Sequence, residues 1–297
     1  MEKMEKLDTI QFANKSNARI RKNNIWKTIF FLSTLIGLVV LAVLIIRVVA
    51  QGASWIDLNF LTGKLSSDAE RAGIMGAILG TVWMMVVVIP VTLIVGVGTA
   101  IYLELYAKEG KFKSFIQTNI SNLAGVPSIV YGLLGLTVFV RLMDFGNIVL
   151  AGGLTLSLLI LPILIVSAQE ALRSVPSHLA EASYGMGATK WQTIYRVILP
   201  AALPSILTGS ILALSRAIGE TAPLTVLGIP AFLIPFPQGI FDTFTALPMQ
   251  IYYWTLDSSL VAEYANLAAA TIIVLLILLF VLNSIAIFIR NKFQHRY

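Results

Sequence analysis

The sequence predicts an all-α membrane protein with six transmembrane helices and both termini in the cytoplasm, on three observations. Of its 297 residues 57% are apolar and only 12% are charged, whereas soluble domains carry about 25% charged residues. Six apolar runs, at about 28–50, 74–103, 120–141, 147–168, 203–228 and 264–289, reach the roughly 20 residues that a helix needs to cross the hydrocarbon core. Sixteen of the 21 Lys and Arg residues fall on one side of the topology those runs define, and positively charged loops stay in the cytoplasm. The same numbers exclude a disordered chain. The lack of cysteine excludes a disulfide-stapled secreted module. The net charge of +6 follows from topology, so no nucleic-acid partner is implied.

The elements follow in order. The cytoplasmic tail 1–27 holds seven basic residues, Lys3, Lys6, Lys15, Arg19, Arg21, Lys22 and Lys27. The run 28–50 is longer than the 7–15 apolar residues of a signal peptide, so a retained, peripheral first helix is expected. The transmembrane permease region extends over 28–290, with its core at about 72–289. Runs such as Leu38 to Ile46 do not alternate at period two, as the strands of an outer-membrane barrel would. Pro90, Pro127, Pro162 and Pro223 lie in or near four spans; bundles tolerate this where neighbours satisfy the freed carbonyl, and kinks there could also shape a pathway. The external segment 229–262 has no Lys or Arg and four prolines. It is too apolar for a free linker and is expected to pack at the outer mouth. A short cytoplasmic tail, 291–297, ends the chain.

The segment 169–202 is long for a connector, since structureless loops beyond about 12–15 residues are usually functional or disordered. Its own sequence orders it. Pro176-Ser177 offers a helix start and Gly187 a stop. Thr189 can cap a second short helix that Pro200 ends. Glu181, Tyr184, Lys190 and Trp191 then share a surface suited to docking another protein, or simply to lying on the membrane. No G-x-x-x-x-G-K-[ST] phosphate loop is present. Any ATP hydrolysis is therefore expected in a separate chain, and this one is expected to be a transport subunit and not an enzyme.

Arg216 and Glu220 lie inside the fifth run. From Leu203 to Leu227 is about 37 Å of helix, which places Arg216 near the midplane, where a charge costs at least about 2.5–3.5 kcal/mol. The i, i+4 spacing puts both residues on one helix face. Two readings stand at this point: an ion pair that locks helices or subunits, or a guanidinium that meets an anion through its fixed donor fork.

Two resemblances bear on these residues. Glu181-Ala182-Ser183, Gly187 and Val197-Ile198-Leu199-Pro200 resemble the EAA loop of ABC-importer permeases, with Ser183 and Val197 as departures. The resemblance implies that Glu181, Ala182 and Gly187 form a coupling element seated in a groove of an ATPase subunit. The run Arg216-Ala217-Ile218-Gly219-Glu220-Thr221-Ala222-Pro223 resembles the R-A-x-G-E-T-A-P motif of PstA-type permease subunits of phosphate ABC transporters. Asn122 to Gly132, Tyr102 to Tyr106, Glu170-Ala171-Leu172 and Ala246-Leu247-Pro248 agree with it, so the resemblance covers roughly 72–255. It implies a type I ABC importer permease fold, with Arg216, Glu220 and Thr221 in the translocation path. It also implies a homologous second permease subunit, two ATPase subunits that hold the ATP and magnesium, and an extracytoplasmic phosphate-binding protein. Inorganic phosphate and membrane lipid complete the expected contacts; no cofactor or metal is expected in this chain. The expected location is a bacterial or archaeal cytoplasmic membrane. A permease for phosphonate or sulfate, or a channel or scaffold without an ATPase, remains as the alternative.

Overall fold

The computed structural model describes residues 2–230 and 235–292, with side chains from Arg19 onward. Residues 231–234 of the external segment and 293–297 of the C-terminal tail, Arg296 included, lie outside the described residues, as do the side chains of Lys3, Lys6 and Lys15. Among the described residues the chain is helical, without named strands, and one isolated antiparallel bridge joins Ile148 to Thr243. Two compact units divide at Gln51–Gly52.

The first unit is essentially one helix. α1 (Glu2–Gly52) carries both the basic flank and the first apolar run without a break. Over 28–50 the helix is apolar on all sides, which suits a lipid environment.

The second unit begins with a short α2 (Leu58–Thr62), capped by Asp57, whose side chain accepts from the Phe60 N–H at 2.6 Å. Next come α3 (Met75–Ile101) with a π-helical extension over Tyr102–Tyr106, then α4 (Lys111–Leu123) and α5 (Ser128–Gly135), which a π-helical turn prolongs to Leu142. α6 (Val149–Arg173) is the most buried span. α7 (Ser177–Gly185) and α8 (Lys190–Thr193) form the 169–202 segment. α9 (Leu199–Gly219), α10 (Ala222–Leu227), α11 (Leu247–Asp257) and α12 (Glu263–Lys292) complete the unit. Among the described residues five helical stretches are long and apolar enough to cross a membrane, and the α4–α5 pair, bent by 102°, makes a sixth when counted as one span.

That bend falls within the apolar run expected as one span over 120–141, at the proline noted there. Ala124 to Pro127 lie outside the helices, because Pro127 cannot donate to the ladder and drives its predecessor out of the helical region. The Tyr131 hydroxyl donates to the Leu123 carbonyl at 2.9 Å and satisfies the end of α4.

α3 and α6 form the centre. A Cβ on Gly96 would lie 2.9 Å from the Leu164 side chain, and one on Gly153 2.7 Å from Val87. Small residues bring helix backbones this close in lipid. The pairs Val87–Gly153, Gly96–Leu164 and Glu104–Arg173 advance together along both helices, so α3 and α6 run in parallel. Their ends at 104 and 173 therefore lie on one side of the bundle. α12 runs antiparallel to α9, since Ser215 bonds Asn283 at 2.7 Å while Thr208 meets Arg290 at 3.4 Å. The end of α12 thus lies on the same side as the start of α9.

The end of the bundle opposite 104 and 173 is closed by the segment after α10. Leu150 N–H donates to Ile240 O at 2.8 Å and Val149 N–H to Asp242 O at 3.0 Å. Phe244 to Gln250 are buried, and the Leu247 N–H donates to Thr81 Oγ1 at 2.9 Å. Gly80 leaves no room for a side chain, since a Cβ there would collide with the Thr245 carbonyl. Gly80→Val is expected to lower stability by about 1–3 kcal/mol, the usual cost of overpacking. A drop in the thermal midpoint of the detergent-solubilised protein checks this.

Candidate functional site

The fifth span is not one helix. α9 ends at Gly219, Glu220 is extended (φ −75°, ψ 123°), and α10 starts at Ala222 with Pro223 in its first turn. Proline suits a first turn, where its missing N–H has no intrahelical partner to lose. This corrects the expectation of an unbroken helix over 203–228 with both charges on its face. Glu220 follows the helix end, yet it accepts from Arg216 Nε at 3.1 Å through Oε1.

Several contacts hold the break in place. Ala217 and Ile218 pack into the core with Leu224 and Leu227 of α10. The Ser215 hydroxyl ties α9 to Asn283 of α12. α10 lies against α5 so closely that a Cβ on Gly132 would sit 2.8 Å from the Pro223 Cα. Asn147 Nδ2 donates to the Gly228 carbonyl at 2.9 Å, fixing the far end of α10. Thr221 gives its carbonyl to Thr225, whose N–H and hydroxyl both donate at 3.0 Å.

The guanidinium faces outward from this packed side. The Arg216 side chain is 53% exposed and that of Glu220 17%. Among the described residues only Nε of Arg216 has a protein partner. The outer fork, Nη1 and Nη2, is free to donate to two oxygens of an anion, the geometry in which arginine binds most strongly. The surrounding stripe of α9, Ser205, Thr208, Leu212, Arg216 and Gly219, is exposed at helical spacing. A charge and two hydroxyls on that stripe do not fit a lipid-facing surface. Non-helical backbone at membrane depth is tolerated where it is buried in protein or lines a water-filled cavity.

The second candidate region is the 169–202 segment. α7 ends at a turn in which Gly187 has φ +83°, a conformation glycine adopts without strain. Thr189 then makes a full capping box with Gln192. Ser183, the departure from the EAA pattern, bonds Thr193 Oγ1 at 2.9 Å and pins α7 to α8. Glu181, Ala182 and Gly187 are exposed, as are Tyr184, Met186, Trp191 and Tyr195. Trp191 and Tyr195 stack with centroids 6.3 Å apart. Exposed aromatic and apolar groups clustered this way mark an interaction surface.

The second helix of this segment does not end at Pro200. A π-helical turn over Ile194–Ile198 joins α8 to α9, so the helix is continuous over Lys190–Gly219. The Leu199 N–H bonds to Ile194 O, and Pro200 falls in the first turn after the π turn. The candidate charge pair and the 169–202 segment are therefore two ends of one rod. From Lys190 to Arg216 is about 39 Å at 1.5 Å per residue.

Sequence reasoning missed the break after Gly219, although Pro223 was its signal. It also missed the contact of Arg173 with Glu104, which no local spacing announces. Among the described residues no cluster of three or more His, Asp or Glu is placed to hold a metal ion.

A helical chain with several spans long and apolar enough to cross a membrane, an arginine at a helix break and an exposed loop at the base of the same helix has the architecture expected of a transport subunit. The chain belongs to the family of binding-protein-dependent transport system inner membrane components, which matches residues 93–296. It is 37% identical to the probable ABC transporter permease protein YqgI of Bacillus subtilis over 177 residues, spanning 60% of each chain. It is also 37% identical to the phosphate transport system permease protein PstA of Mycobacterium leprae, over 78% of this chain and 77% of that one. A crystal structure of a bacterial alginate ABC transporter, in complex with an alginate pentasaccharide-bound periplasmic protein, shares the fold. Its TM-score is 0.61 at 14% identity, over 90% of this chain and 94% of that one.

Proposed function

We propose that this chain is the permease subunit of an ATP-driven importer of inorganic phosphate and forms half of its translocation pathway. The observation that carries the reading is the Arg216 fork, free on its outer edge and aimed away from the packed core at a helix break. Arg216 takes the anion, Glu220 restrains the guanidinium between passages, and Thr221 belongs to the same lining. Kinship with the Mycobacterium leprae PstA supports phosphate as the solute.

Glu220 also bears on which oxyanion passes. A protonated phosphate can donate a hydrogen bond to a carboxylate, whereas sulfate at neutral pH has no proton to give and meets like charge. Rejection of the wrong solute by an unpaired or repelled group is how such sites discriminate. Glu220→Gln should therefore narrow the preference for phosphate over sulfate by about tenfold, the worth of a charged hydrogen bond. Competition uptake with both radiolabelled anions checks this.

The partners follow from the same reading. A homologous second permease subunit covers the exposed stripe of α9, and two ATPase subunits, holding ATP and magnesium, dock on the 169–202 loop through Glu181, Ala182 and Gly187. An extracytoplasmic phosphate-binding protein delivers the solute. The two basic loops after α3 and α6 and the end of α12 lie on one side, and the positive-inside rule makes that side cytoplasmic. By their own basic charge, and under the same rule, the tails 1–27 and 291–297 are read as cytoplasmic, flanking a transmembrane domain over 28–290 in a bacterial or archaeal cytoplasmic membrane.

The test is reconstitution of the four-component system in liposomes. ATP-dependent, binding-protein-dependent accumulation of phosphate is expected. Accumulation of sulfate or phosphonate in its place would overturn the choice of solute, and uptake without any ATPase would overturn the importer.

A further inference from the structure

The loop 169–202 is anchored at two points, and both anchors are on the same π-helical turn. At its entry, Arg173 Nε donates to Glu104 Oε1 at 2.9 Å, while its Nη1 reaches Glu170 at 3.2 Å. At its second helix, Lys190 places Nζ 4.7 Å from the centre of the Tyr106 ring, within the range of a cation–π attraction. Glu104 and Tyr106 belong to the turn Tyr102–Tyr106 that ends α3. π turns of this kind occur at functional sites more often than chance.

The chemistry of the first anchor is asymmetric. The Glu104 side chain is 16% exposed and that of Arg173 46%. The second carboxylate oxygen, Oε2, is buried without a protein partner. Arg173 is thus the one counter-charge of Glu104 among the described residues, whereas Arg173 keeps Glu170 if Glu104 is lost. Between the anchors the backbone leaves the helix twice, before Pro176 and at the left-handed Gly187. Ser183 ties α7 to α8 through Thr193, and the two contacts on the turn Tyr102–Tyr106 add a tie of the loop to α3.

We propose that the turn Tyr102–Tyr106 is a brace: Glu104 holds the start of the loop through Arg173 and Tyr106 holds its second helix through Lys190, so that the end of α3 travels with the loop. Glu104 and Tyr106 are then positioning residues for coupling; they touch neither solute nor nucleotide. The proposal rests on the reading of 169–202 as the ATPase-docking loop. α3, α6 and α9 receive the motion of the ATPase together, α3 through the brace and α6 and α9 by direct continuity with the loop.

The chain contains no cysteine, so pairs of labels can be introduced without removing any residue first. Spin labels at Lys108→Cys and His178→Cys, in the complete transporter in liposomes, report the distance from the end of α3 to α7. The distance is expected to be the same in nucleotide-free and ATP-bound states. Adding Glu104→Gln and Tyr106→Leu should broaden it. The same pair should cut the stimulation of ATPase activity by the loaded binding protein about fivefold, with basal hydrolysis unchanged. Exchanging the charges, Glu104→Arg with Arg173→Glu, should recover part of the stimulation. A label distance that shifts between states in the otherwise unaltered chain overturns the brace, as does full stimulation in the Glu104→Gln, Tyr106→Leu variant. If that variant fails to assemble, the distances in the otherwise unaltered chain decide alone. Failure of the ATPase to co-purify would instead overturn the docking reading itself, and phosphate uptake does not enter the measurement.

Discussion

Arg216→Gln should reduce phosphate uptake at least about a hundredfold while leaving the transporter assembled. Glutamine keeps most of the stem but removes the charge and the forked donors, and losing one partner of a charged contact typically costs about 2–5 kcal/mol. The ion-pair alternative makes a different prediction. There the same change leaves Glu220, only 17% exposed, without its cation, and a strongly destabilised or unassembled complex follows. Size-exclusion analysis of the purified complex, run beside the uptake measurement, separates the two. Normal uptake by Arg216→Gln would end the anion-site reading. A complex that no longer forms would favour the structural pair.

The second large effect concerns the 169–202 loop, proposed above as the ATPase-docking element. Gly187→Val places a β-branched residue at φ +83°, a conformation that costs L-residues about 1–2 kcal/mol and β-branched ones more. The turn between α7 and α8 must then open, moving Glu181 and Ala182 relative to the capped start of α8. Hydrolysis of ATP by the partner chains is expected to continue, while phosphate uptake per ATP falls to near zero. Glu181→Ala should uncouple in the same sense with a smaller effect, because the backbone is untouched. Measured stoichiometry of uptake to hydrolysis distinguishes uncoupling from simple loss of docking. An unchanged ratio in both variants would dispose of the coupling assignment.

The positions of most spans were legible because hydropathy is an average, and averages survive local irregularity. For the same reason the breaks were not. A window over 120–141 or 203–228 scores as one span whether or not the backbone turns at Gly125–Pro127 or Glu220. The prolines carried the information, but Pro127, Pro223 and Pro200 do three different things. Pro127 and Pro223 sit in or before first turns of new helices, while Pro200 continues a helix just after a π turn. Propensity alone cannot rank those outcomes, since tertiary packing of α10 on α5 and of α8 beside α7 selects among them. The Arg216–Glu220 contact was readable from a spacing of four, although the helix that spacing presumes ends between them. Glu104 and Arg173 stand 69 residues apart, and only the parallel packing of α3 on α6 brings them together.

The glycines between α3 and α6 have a mechanical consequence. With Gly96 against Leu164 and Gly153 against Val87, each helix fills the gap the other leaves, and interiors packed to this density transmit strain rather than absorb it. Sliding one helix past the other would drive side chains into positions that hold only hydrogen. The pair can tilt or rotate as a single body but has almost no internal coordinate of its own. A transport cycle that moves either helix must count them as one moving part.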